Sequence, residues 1–144
     1  MSVLASIDLV LCHHDHALSN FEIIEFLYAN HWNFNDNGHK TYVPLGKDTG
    51  DFESNYLSDQ AIFDILKQKQ RLNENLSIVM TWKDSNIGFI FLGQSNLKVT
   101  LLLNVSRQIT EYQVTDFNWY LEKVIPYFQQ NGLSIIQLVC DEIR

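Results

Sequence analysis

Apolar positions in this chain alternate with two different periods, and the change from one to the other lays out the elements. Val3–Cys12 places Ala5, Ile7, Leu9 and Leu11 on one side of Ser6 and Asp8, a period of two that predicts a strand with one deeply buried face. Ser19 followed by Glu22 reads as a capping box. Ile23, Phe26, Leu27 and Ala29 then recur at helical spacing, so a first helix is expected from about Asn20 to Asn30. Asn37-Gly38 is the pair a type I′ turn prefers, and it predicts a short hairpin between Trp32–Asn35 and His39–Val43.

Gly46–Asn55 carries turn formers and acids without periodicity and reads as a surface loop. Ser58 or Asp59 caps a second helix over about Asp59 to Arg71, with Ile62, Ile65 and Leu66 inward and Lys67, Lys69 and Arg71 toward its C-terminal dipole. Leu76–Trp82, Ile87–Leu92 and Leu97–Val105 are strand-like runs separated by hairpin-length gaps, Lys83–Asn86 and Gly93–Asn96. Thr115 can cap a third helix that buries Phe117, Tyr120, Leu121, Val124, Ile125 and Phe128. Pro126 should kink or restart that helix, and Asn131-Gly132 should end it before a last strand, Leu133–Cys140. The order β-α-β-β-α-β-β-β-α-β, with hairpins in place of regular βαβ units, defines an α+β fold of about three helices on a mostly antiparallel sheet.

Composition supports one globular domain spanning 1–144. Hydrophobic residues make up 46% of the 144 and charged residues only 19%, a balance that can fill a core and argues against disorder. No run approaches the roughly 20 apolar residues of a membrane span, and no basic stretch precedes Val3–Cys12 as a secretory signal would require. Cys12 and Cys140 each end an apolar run and read as buried free thiols of a cytoplasmic protein.

Charge changes the picture more. The net charge of −7 is concentrated: Asp8, Asp15, Glu22, Glu25 and Asp36 lie in 1–39, and Asp48, Asp51, Glu53, Asp59 and Asp64 in 48–64, with no Lys or Arg in either stretch. Such a surface repels phosphate backbones, which disfavours direct nucleic-acid binding, and attracts a basic protein. Phe52 and Tyr56 set among the carboxylates complete a candidate partner-binding surface of Asp48, Asp51, Phe52, Glu53, Tyr56, Asp59 and Asp64.

Catalytic chemistry is sparse. Six scattered glycines form no phosphate loop, no GxSxG elbow occurs, and neither cysteine lies in a nucleophile motif. Cys12 adjoins His13, but neighbours on a strand point to opposite faces. The only cluster of metal-ligand types is His13, His14, Asp15 and His16, which could serve a metal-binding protein or a metal-assisted enzyme if further ligands converged. No motif calls for a cofactor.

Size, acidity, aromatic content and the absence of a catalytic motif together resemble the bacterial immunity proteins of contact-dependent inhibition and related polymorphic toxin systems. That resemblance spans the chain as a type. It implies a cytoplasmic, non-enzymatic protein that binds a cognate basic toxin domain, a nuclease among the options, and occludes its active site.

Overall fold

The computed structural model describes residues 2–48, 50–94 and 98–144. Thr49 of the acidic loop, and Ser95, Asn96 and Leu97 at the turn and start of the third predicted run, lie outside them. Among the described residues are eight strands and three helices: β1 (Leu4–His13), α1 (Asn20–Ala29), β2 (Trp32–Asn33), β3 (Lys40–Tyr42), β4 (Glu53–Asn55), α2 (Asp59–Arg71), β5 (Leu76–Trp82), β6 (Gly88–Gly93), β7 (Lys98–Val105), α3 (Phe117–Gln130) and β8 (Leu133–Ile143). The α+β reading holds, with β4 added inside the segment read as loop.

Every pairing is antiparallel, in the order β4-β3-β5-β6-β7-β1-β8, and β2 joins the other end of β5. Residues directly opposite in such ladders share a face, so the register traces the core across the sheet. Ile78, Phe91, Leu101 and Ile7 form one row, and Leu9 beside Val99 begins another. All are buried, together with Ile23, Ile24 and Leu27 of α1, Ile62 and Leu66 of α2, and Tyr120, Val124 and Phe128 of α3. The helices cover this face. The opposite face carries the half-buried Ile90, Leu92 and Leu102.

Local chemistry accounts for the boundaries. The capping box forms as expected: Glu22 N–H donates to Ser19 Oγ, and Ser19 N–H to Glu22 Oε1. Ser58, rather than Asp59, caps α2 by accepting from Ala61 N–H. The cap of α3 is Asp116, which accepts from Trp119 N–H; Thr115 is instead buried and held by Glu142. Helix α3 does not restart at Pro126. That residue sits on the exposed side with Glu122, where water can take the freed carbonyl.

Asn37 (φ 53°) and Gly38 (φ 92°) both adopt the positive φ of a type I′ turn, but the hairpin is a single bridge between Asp36 and His39. Trp32 pairs with Trp82, so β2 belongs to β5 and not to β3. Lys69, in the last turn of α2 as read, is completely buried. Both thiols are free, yet Cys140 is exposed and Cys12 half-buried, because β8 is an edge strand.

Candidate functional site

The acidic segment enters from Pro44, whose carbonyl is fixed by the Lys69 ammonium at 2.9 Å. Asp51 N–H donates to the Asp48 carbonyl in a turn, and the chain then runs along β3 as β4. Opposite pairs are Glu53 with Tyr42, Ser54 with Thr41, and Asn55 with Lys40. All three β4 residues are exposed at this edge of the sheet. Thr41 Oγ1 lies 2.8 Å from Ser54 Oγ and donates to Asp36 Oδ2, which ties the Asn37-Gly38 turn to the same edge.

Tyr56 is 81% exposed. Its ring packs against His39 at a centroid distance of 4.3 Å, tilted by 36°, with the hydroxyl 3.2 Å from His39 Nε2. An exposed aromatic braced in this way loses little freedom on contact with a partner. Asp48, Asp51 and Glu53 are exposed, and among the described residues none of them forms an ion pair, so their charge is directed to solvent. Phe52 is half-buried between two of them.

Two predicted members behave differently. Asp59 accepts from Tyr28 Oη at 2.5 Å and from Lys40 Nζ at 3.1 Å. Partial burial opposes its charge, but these two donors outweigh that and hold the carboxyl below its usual range. Tyr28 is pushed up to about 12, first by its hydrogen bond to Asp59, then by burial and the Asp59 charge. Asp59 is therefore a brace between α1, β3 and α2. Asp64 accepts from Gln60 and lies in a groove of about 280 Å³ between α1 and α2, shared with Phe21, Glu25, Gln60, Phe63 and Lys67.

The acids of 1–39 do not merge into one patch. Asp8 accepts from Thr100 on the open sheet face, Glu22 serves the capping box and His16, and Asp36 holds Thr41. No tryptophan offers an exposed anchor: Trp32 is buried against Phe89 and Trp82, and Trp119 is half-buried beneath Lys123, whose ammonium lies 4.1 Å from the ring centre.

The histidine cluster is committed to local contacts. His13 Nδ1 accepts from Asp15 N–H, which leaves Nε2–H to donate to the Asn131 carbonyl at 3.0 Å. His16 pairs with Glu22 at 2.6 Å and His14 with Ser134 at 2.9 Å. Among the described residues, no group of three or more His, Cys, Asp or Glu side chains is arranged to hold a metal ion.

The sequence reading missed His39 as the support for Tyr56, and Lys40 and Tyr28 as the partners of Asp59. Only the Asn37-Gly38 turn hinted that His39 would return to this edge. No described helix is long and apolar enough to cross a membrane. No protein-family model, curated protein or solved structure matches the chain.

Proposed function

We propose that this chain is a non-catalytic binding protein that neutralises a basic toxin domain, as the immunity proteins it resembles do. The observation that carries the reading is the acidic segment leading through β4: Asp48, Asp51 and Glu53 are exposed and form no ion pair among the described residues, and the segment ends on one braced aromatic, Tyr56. Phe52 lies within that segment. Exposed carboxylates can pair with the Arg and Lys residues that a nuclease uses for phosphate, and Tyr56 supplies contact area at small entropic cost. Inhibition is by occlusion and needs neither cofactor nor turnover. The complex forms in the cytoplasm of the cell that makes the protein.

The test is to search the gene's neighbourhood for a secreted protein with a variable C-terminal domain and to co-express the chain with that domain, scored by rescue of growth and followed by binding kinetics. Charge reversal in Asp51→Lys/Glu53→Lys should slow association at least about tenfold at low salt and flatten its salt dependence. An association rate unchanged by this pair of substitutions would overturn the siting, and failure to rescue growth would overturn the function.

A further inference from the structure

The two edges of the sheet are built in opposite ways. Strand β4 is three polar residues long and carries Glu53, which is how an edge is kept from pairing with another chain. Strand β8 has eleven residues, and Leu133–Cys140 contains no charge and no proline. Among the described residues it pairs only with β1. The core rows run out onto it: Cys140 lies opposite Ile7, and Leu138 opposite Leu9. Ile7 and Leu9 are buried, whereas Leu138 is 38% and Val139 43% exposed. Ile136, the extra residue where the register with β1 shifts between Val10 and Leu11, is 64% exposed. Apolar side chains thus face solvent on both sides of a long strand whose outer side is paired by no other strand among the described residues.

We infer that β8 pairs antiparallel with β8 of a second copy, about a two-fold axis at Leu138, which joins the two sheets into one. The charge pattern selects this occupant. Asp141 and Glu142 are the only acids of the strand, and both sit at its C-terminal end. An antiparallel two-fold sets them against the uncharged Leu133–Ile136 end of the other copy. A parallel neighbour would set Asp141 against Asp141, at a cost. A basic protein finds little to bind here, since Glu142 is already engaged by Thr115 and Arg144. The two-fold is also self-complementary: uncharged 136–140 meets uncharged 136–140.

Light scattering across a dilution series of the full chain tests this, with the expected result a dimer whose dissociation constant rises roughly a hundredfold or more in Val139→Lys, where two ammonium groups meet near the axis. Residue 139 is exposed, so circular dichroism should be unchanged. A second measurement avoids any change in the strand: in a Cys12→Ser background, a short bismaleimide should link Cys140 to Cys140 of the other copy. A monomer at every concentration, a dimer indifferent to Val139→Lys, or no Cys140 cross-link would each overturn the inference.

Discussion

The ammonium of Lys69 lies 2.8 Å from Glu74 Oε1, on a side chain from which water is wholly excluded. The same ammonium donates to the carbonyls of Pro44 and Lys47, and Glu74 Oε1 also accepts from Gly46 N–H at 2.9 Å. The pair thereby clamps the loop that leads into Asp48. Its members are unequal, because Glu74 retains some exposure and Lys69 has none. Removing Glu74 leaves a buried cation with only carbonyl partners; removing Lys69 leaves a carboxylate that water can reach. Glu74→Ala is expected to lower stability by about 3 kcal/mol, and Lys69→Met by less. Urea midpoints at neutral pH check the order, and equal losses would contradict the asymmetry.

Acid stability should be governed by a different carboxylate. Glu142 accepts from the hydroxyl of Thr115 at 2.5 Å and from its N–H at 2.8 Å, and Arg144 Nε lies 2.8 Å away. These donors, Thr115 first, lower its carboxyl to about 2 from an ordinary 4.5. The folded state therefore holds this proton less tightly than the unfolded chain. The stabilisation is complete above about 4.5 and is lost as pH falls toward 2. Glu142→Gln should be less stable than the parent at pH 7 and lose less stability between those two pH values. Urea titrations along a pH series would show parallel curves if Glu142 did not carry the dependence.

Of the six glycines, Gly88 has the least room for a side chain. A Cβ there would lie 1.9 Å from the Met80 carbonyl oxygen and 2.8 Å from Thr81 Cα, both backbone atoms that cannot rotate away. Gly88→Ala should cost more than about 3 kcal/mol, as the β5–β6 ladder must open to admit the methyl group. Gly38→Ala offers a control: nothing lies within 4 Å of its Cβ, and only the strain of a positive φ remains, about 1 kcal/mol. Thermal melts of the two variants should separate clearly.

What was legible in the sequence were features decided within a few residues. The Ser19–Glu22 box, the Asn37-Gly38 turn and the alternation of Ala5, Ile7, Leu9 and Leu11 all formed as read, and of the two cap candidates for α2 Ser58 was taken. Long-range choices were hidden. Trp32 pairs with Trp82 across fifty positions, which no local pattern encodes. The run Leu133–Cys140 has the same composition whether it is central or at an edge, so the exposure of Cys140 could not be foreseen. Lys69 sits at a helix end where a solvated lysine is the ordinary outcome, and only Glu74 and the carbonyls of Pro44 and Lys47 explain its burial. Of the acidic site, the carboxylates and the aromatics Phe52 and Tyr56 were visible, but not their partners. Which carboxylates stay unpaired depends on where Lys40 and Tyr28 fall in three dimensions.

That last distinction can be measured at Asp59. Its carboxylate joins Tyr28 and Lys40, and Lys40 stands opposite Asn55 of the acidic edge. Asp59→Asn keeps an oxygen for the Tyr28 hydroxyl but removes the charge. Tyr28 should then titrate below its present value of about 12, as tyrosinate absorbance can follow. The ion pair is partly exposed, so its loss should cost no more than about 1 kcal/mol. If Asp59 is a brace and not a contact, Asp59→Asn should leave association with a basic partner nearly as fast as in the parent, whereas Asp51→Lys slows it. The same slowing from both substitutions would return Asp59 to the binding surface and show that Lys40 does not mask its charge.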